Sequence, residues 1–215
     1  MTLDQAATGP DGQLLEIREL DIAAAAEYAD LISIRHDLEF VVNTCTRLLA
    51  ELAKVESDRE SIIIQTLWIA ALVTYARCFG TGKRKLGLTT DDVALLPLKG
   101  QVTEWHKYLM DMRNKNIAHS VNPFETVTVG ALIGLSGEVE GVGFLSLRYV
   151  SSDEGGVRQT RDLALALFKL TEGRAQQKES EVLEAAHALD HNHLSRLPIM
   201  QGVVPGAEDA GTARR

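Results

Sequence analysis

The stretch 31-LISIRHDLEFVVNTCTRLLAELAKV-55 decides the fold of this chain. Its apolar residues recur at alternating intervals of three and four, at Leu31, Ile34, Leu38, Val41, Cys45, Leu48, Leu52 and Val55. A spacing of about 3.5 residues places them along one side of a helix. The repeat therefore predicts a long helix, opened by an N-cap at Asp21, with an apolar seam. The seam packs either within the chain or against a second copy, and we expect the first because the next helix needs a partner.

The residues after this helix predict three more. Segment 61–79 is apolar on nearly all sides, so we expect it to be central, buried and preceded by a capping box of Ser57 and Glu60. The run Thr89-Thr90-Asp91-Asp92 predicts the start of a short helix that ends near Pro97. Another helix is expected from about Lys99, with apolar residues at helical spacing.

Residues 125–150 are rich in β-branched residues and glycine, which predicts a β-hairpin turning at Ser136-Gly137. A last helix is expected from about Gln159. The predicted fold class is mainly α: an antiparallel bundle of four to five helices with an inserted β-hairpin near residues 125–150. We expect a flexible lead-in at 1–19, one helical domain at 20–195 that includes the hairpin, and a disordered tail at 196–215.

Composition narrows the functional classes. The chain has 215 residues, a formal net charge of −8 and a sequence pI near 5.3. This balance argues against a protein that coats nucleic acid nonspecifically, because such binding needs excess cations. Two cysteines without a disulfide pattern favour a reducing cytoplasm. The longest apolar run, around 62–73, is too short to span a membrane, so no membrane partner is expected.

The charge is distributed unevenly. Window 77–119 carries a net charge of +4, so the rest of the chain carries −12. The window includes a basic loop, Gly80-Thr81-Gly82-Lys83-Arg84-Lys85. This loop is not a P-loop, because residue 77 is arginine and Lys83 is followed by Arg84 instead of Ser or Thr. Contact with a phosphate backbone and a solvated turn both remain open.

The segment 113-RNKNIAH-119 ends the helix in this basic window. On an ideal α-helix Arg113, Asn116 and His119 would form one slanted polar stripe. A guanidinium and an imidazole on one face can bind a phosphate and move a proton. In the alternative, Arg113 only pairs with Asp111 or Glu104, and His119 only interacts with the helix C-terminus.

Other candidate sites are weaker. His187 and His191 have the i, i+4 spacing of helical metal ligands, but a third ligand from Asp190 or His193 points awkwardly. We expect these histidines to be solvated. No GxSxG motif and no dinucleotide fingerprint is present. We therefore expect neither a metal nor a cofactor.

The phrase 112-MRNKNIAHS-120, in a helix-rich chain, resembles the HEPN domain (higher eukaryotes and prokaryotes nucleotide-binding) in its abortive-infection and toxin-like branch. The hallmark of that family is Arg, four to six residues, then His, with a polar residue directly after the Arg. Five residues intervene here, and Asn114 is the polar residue. The upstream segment 74-TYARCFG-80 is also similar to one that accompanies the motif. The resemblance covers roughly residues 20–190 and is most specific over 72–120.

The resemblance implies a homodimer in which two Arg and two His line one cleft, and a metal-independent endoribonuclease of a bacterial defence or toxin–antitoxin type. Arg113 and His119 would be catalytic, and Asn114 or Asn116 would orient Arg113 or the phosphate. Lys115, Arg77, Lys83 and Arg84 are further candidates for binding RNA. An antitoxin or a nucleotidyltransferase is a possible partner. Many HEPN domains are inactive, so a noncatalytic nucleotide-binding or dimerisation module is the alternative, and a bundle without a site is the third.

Overall fold

A computed structural model describes residues 16–80, 82, 84–118, 125–149, 151–200 and 206–212. It confirms the predicted class, a mainly helical bundle with an inserted hairpin. The α-helices are α1 Ala23–Leu52, α2 Ser61–Arg77, α3 Thr90–Ala94, α4 Val102–Asp111, α5 Glu154–His187 and α6 His191–Arg196. Strands β1 Glu125–Ile133 and β2 Val139–Arg148 form the hairpin. Short 3-10 turns lie at Glu56–Asp58 and Ala207–Gly211, and a π-helical segment, Met112–Ile117, continues α4.

No helix in the described ranges is both long and apolar enough to cross a bilayer.

Contacts divide the chain into two compact units. The first unit comprises residues 1–33, 81–87 and 171–215, and the second comprises 34–80 and 88–170. In the first unit, the backbone of Ile17 and Glu19 exchanges hydrogen bonds with Met200 and Pro198. These residues fall in the predicted lead-in and tail, and the domain boundaries themselves stay a prediction.

The core of the second unit contains the predicted seam. Leu38, Val41, Cys45 and Leu48 are each 0% exposed and lie in one apolar cluster with residues of α2 and α4. The seam therefore packs within the chain, as predicted, and its last member, Val55, lies beyond the end of α1.

Helix α2 differs from its prediction in two ways. Ile62 is 71% exposed and Ile69 37% exposed, so the expectation of burial on nearly all sides is wrong. These residues are seven apart and share the outward face, while Trp68 and Tyr75 fill the core. The predicted capping box is also wrong, because Ser57 lies in a 3-10 turn. The carboxylate of Glu51 instead accepts a hydrogen bond from the Glu60 N–H at 3.2 Å, just before α2 begins.

Helices α3 and α5 begin at local side-chain caps. Helix α3 has the predicted cap: Thr89 accepts from the Asp92 N–H, and Asp92 accepts from the Thr89 N–H. Helix α1 begins two residues after the predicted cap Asp21. Helix α5 begins five residues earlier than predicted, where the Asp153 carboxylate accepts from the Gly156 N–H at 2.8 Å.

The hairpin has the predicted position and turn. Its strands pair antiparallel, with Val129 opposite Phe144 and Ala131 opposite Val142. Gly137 has a φ of +83°, a conformation that favours glycine. Tyr149, directly after β2, hydrogen-bonds through its hydroxyl to that of Tyr108 on α4 at 2.9 Å, which ties the base of the hairpin to the bundle.

Candidate functional site

The predicted motif lies in the π-helical segment rather than in an α-helix. The N–H of Ala118 donates to the carbonyl of Arg113 at 3.0 Å, an i to i+5 bond. The ideal α-helical spacing behind the expected stripe of Arg113, Asn116 and His119 therefore does not apply over Met112–Ile117. His119 and the side chain of Asn116 lie outside the described residues, so the stripe itself stays a prediction. Two residues of this segment, Asn114 and Asn116, have lower helix propensity than Met112, Arg113 and Lys115 around them. Such π-helical turns are rare overall, and those that are found often lie at functional sites.

The Arg113 side chain is half-buried and held by its neighbour. Its Nη1 donates a hydrogen bond to the Asn114 side-chain oxygen at 2.9 Å. Among the described residues, no carboxylate lies within ion-pair distance of Arg113. The guanidinium therefore keeps donors for a ligand, and it does not make the pair with Asp111 or Glu104 that the structural alternative requires.

Asp111 is instead shared by two lysines. Its carboxylate lies 3.1 Å from the Lys107 ammonium and 3.4 Å from that of Lys115. These two ammonium groups hold the pKa of Asp111 below its usual value. Lys115, a predicted RNA-binding residue two positions after Arg113, is thus partly engaged by the carboxylate of Asp111.

The remaining predicted residues are distributed over both units. Arg77, at the end of α2 in the second unit, forms an ion pair with the buried Asp37. Arg84 belongs to the first unit, where it donates to the Ser33 hydroxyl at 2.7 Å. His119 and Lys83 lie outside the described residues, as does the side chain of Asn116.

The basic loop is anchored within the first unit. The backbone N–H groups of Lys85 and Leu86 donate to the carboxylate of buried Asp30, at 2.8 and 3.2 Å. The end of the loop is thus held by two hydrogen bonds to α1, and phosphate contact and a solvated turn both stay open.

The second unit contains a cavity of about 590 Å³ that sequence reasoning missed. It is lined by Phe79, Leu88, Thr89, Thr90, Thr103, Glu104, His106, Lys107 and Met110. His106 is 5% exposed, and its ring centroid lies 4.4 Å from that of Phe79.

His106 is fixed by a buried hydrogen bond. Its Nδ1 lies 2.8 Å from the Tyr75 hydroxyl. Burial lowers the pKa of His106, so the ring is neutral at pH 7. One signal for this cavity was present in the sequence, since Thr103, His106, Met110 and Arg113 are spaced by three, four and three residues.

Within the described ranges, no group of three or more His, Cys, Asp or Glu side chains is placed to hold a metal ion. His187 ends α5, and His191 begins α6 after the N-cap Asp190. The two histidines therefore do not share one continuous helix.

No family model matches the chain, and neither the curated proteins nor the solved structures give a significant match. The HEPN resemblance therefore stays a prediction from residues 112–120.

Proposed function

We propose that the chain is a HEPN-like, metal-independent endoribonuclease of a bacterial defence or toxin–antitoxin type, acting in the cytoplasm as a homodimer. The observation that carries this proposal is the state of Arg113. Its guanidinium is half-buried, steadied by Asn114 and without a carboxylate partner in the described part of the chain. An oriented cation with unused donors suits a phosphate better than it suits a structural ion pair.

The chemistry follows from two residue types. The 2′-oxygen of the RNA attacks the adjacent phosphorus while the bond from phosphorus to the 5′-oxygen breaks, giving a 2′,3′-cyclic phosphate and a 5′-hydroxyl. His119 of one copy takes the 2′-hydroxyl proton, and His119 of the other copy protonates the leaving 5′-oxygen. Arg113 stabilises the extra negative charge on the phosphate oxygens in the transition state.

The hairpin supports the proposed dimer. Ten large apolar residues of its strands and loop are at least 54% exposed: Val127, Val129, Leu132, Ile133, Leu135, Val139, Val142, Phe144, Leu145 and Leu147. Over both faces of the hairpin they offer, at about 100 Å² apiece, on the order of 1,000 Å² of apolar surface, more than the few hundred Å² that a monomer ordinarily exposes in one patch.

We take the partner on this surface to be a second copy of the chain. One face of the hairpin places Val127, Val129 and Ala131 beside Val142 and Phe144, without an intervening charge. A two-fold contact can bury such a face against itself. Strand β1 begins twelve residues after Arg113, so at most about 40 Å of chain separates this contact from the motif.

The same surface favours a second candidate, a noncatalytic nucleotide-binding or dimerisation module. In that case Arg113 would bind a phosphate without promoting its transfer. A cognate antitoxin or a nucleotidyltransferase would be the protein partner in either case.

RNA cleavage by the purified chain tests the proposal. We expect wild-type protein to cut single-stranded RNA in the presence of EDTA and to leave 2′,3′-cyclic phosphate ends. Loss of the proton-transfer group in His119→Ala should slow cleavage by about 10²–10⁴-fold. Loss of the charge in Arg113→Ala should slow it by about 10²–10³-fold.

Two matched controls are available on α6. His193→Ala and Arg196→Ala make the same chemical changes at exposed positions, and they should cleave as wild type does. Equal cleavage by wild type and His119→Ala would reject the ribonuclease. Retained binding of RNA without cleavage by wild type would support the noncatalytic module.

A further inference from the structure

The cavity beside α4 has the size and lining of a small-ligand site. Its volume, about 590 Å³, lies within the range of about 300–1,000 Å³ typical of such sites. Phe79, Leu88 and Met110 supply apolar walls, and Thr90 supplies a hydroxyl. The hydroxyls of Thr89 and Thr103 are hydrogen-bonded to Asp92 and Glu104. A few polar groups converging in an apolar cavity fix the orientation of a bound molecule.

The cavity lies on the same face of the helix as the candidate catalytic arginine. Thr103, His106 and Met110 line it, and Arg113 follows Met110 by three residues. Asp111 and Met112 keep α-helical backbone angles, so the rise up to Arg113 is about 1.5 Å per residue. Arg113 therefore lies about 4.5 Å along the axis from Met110 and about 10 Å from His106. A nucleotide whose phosphate contacts Arg113 could therefore place its base in the cavity.

The polar groups favour an uncharged ring over an anion. His106 is neutral, and Tyr75 occupies its Nδ1, so Nε2 is left to donate or accept according to the tautomer. The Lys107 ammonium is shared with Asp111, and Glu104 adds a negative charge at the rim. A carboxylate repels a phosphate but accepts a hydrogen bond from an amino group.

We propose that this cavity binds a nucleobase that carries an exocyclic amino group, with its ring against Phe79 and His106 and its amino group directed to Glu104. Stacking on aromatic side chains is a general way to hold an unpaired base. The identification of that base as part of an RNA strand rests on the proposed ribonuclease function. The site would then set which nucleotide lies next to the cleaved bond.

Free nucleosides test the cavity apart from RNA cleavage. Adenosine and uridine are titrated into the full chain, and binding is measured by calorimetry and by chemical shift changes. We expect adenosine to bind at least about tenfold more tightly than uridine, because uridine lacks the amino group and has a smaller ring to stack. Glu104→Gln should reduce this preference.

Two substitutions by phenylalanine separate filling of the cavity from general damage. Thr103→Phe places a ring in the cavity and should weaken adenosine binding at least about tenfold. Thr66→Phe makes the same change on the outward face of α2 and should bind adenosine as wild type does. Arg113→Ala should also keep adenosine binding, because a nucleoside has no phosphate.

The outcomes of the two proposals are distinguishable. Adenosine binding that Thr103→Phe abolishes, in a protein that cuts no RNA, would support the base site with a free nucleotide as its ligand and reject the ribonuclease. Absence of adenosine binding to wild type would overturn the base site, whether or not RNA is cleaved. Equal loss in Thr66→Phe would overturn it too.

Discussion

The α1 seam and the hairpin are built from the same residue types and have opposite surroundings. Leu38, Val41 and Leu48 of the seam are fully buried in the second unit, whereas Val129 and Phe144 of the hairpin are 67% and 74% exposed. The seam repeats with the helical period and meets the other helices of its own chain. Strand β1 alternates threonine and valine over 126–129, but Leu145 and Leu147 of β2 lie on the face opposite Val129 and Phe144, so the hairpin exposes apolar side chains on both faces. One unit thus contains both a core that its own helices bury and an exposed apolar surface on the hairpin.

The largest effect should come from truncating a buried side chain of the α1 seam. Leu38→Ala should lower the free energy of unfolding by about 2–5 kcal/mol, through lost burial and a cavity. Val129→Ala should change it by less than about 0.5 kcal/mol at protein concentrations where the chain is monomeric. Urea denaturation of both variants measures the contrast. A cost of similar size at Val129 under those conditions would show that the hairpin is covered within one chain.

The next effect concerns self-association. Val129→Lys combined with Phe144→Lys places two ammonium groups opposite each other on the proposed interface, where burying unpaired charge is costly. We expect the molar mass from light scattering to fall from that of a dimer to that of a monomer. Thr128→Lys adds a charge to the opposite face and should leave the dimer intact. A monomeric wild type at micromolar concentrations would contradict the proposed dimer.

Sequence reasoning predicted the elements whose signal is local and periodic. The seam, the Thr89 cap and the Ser136-Gly137 turn each depend on residues a few positions apart, and the structure confirms them. Prediction from the sequence failed where contacts between distant residues determine burial or capping. Nothing local distinguishes the exposed Ile62 from the buried Ile64, and the hydrogen bond from Glu60 to Glu51 spans nine residues.

The candidate site was predicted unevenly for the same reason. Arg113 and Asn114 were found because the motif is contiguous, and their side chains are in contact. The π-helical turn was not expected, since the spacing argument assumed a regular α-helix. His106 was missed because its partner Tyr75 is 31 positions away, and a lone histidine beside a tryptophan gives no chemical signal.

A matched pair of glycines on α5 tests how tightly the second unit is packed. A Cβ at Gly156 would lie 1.9 Å from the Ser152 hydroxyl oxygen and 2.9 Å from a ring carbon of Trp105, whereas a Cβ at Gly173 would contact nothing within 4 Å. Gly156→Ala should therefore destabilise the fold by about 1–3 kcal/mol. Gly173→Ala should stabilise it by up to about 1 kcal/mol, because alanine favours the helix. Thermal unfolding compares the two, and equal shifts would refute close packing at Gly156.

The smallest effect is the pH dependence that the buried His106 contributes. Its pKa is lowered in the folded state by burial, so the unfolded chain takes up a proton more readily below pH about 6.5. The stability due to neutral His106 is thus complete above that pH and is lost as the pH falls toward the folded-state pKa.

His106→Gln removes the titrating group, so its free energy of unfolding should fall less than that of wild type between pH 7.5 and pH 5. His187→Gln, at the exposed end of α5, should follow wild type over the same interval. Parallel curves for His106→Gln and wild type would mean that water reaches the His106 ring. The cavity would then be hydrated around that histidine, and α4 would differ in this respect from the fully buried seam of α1.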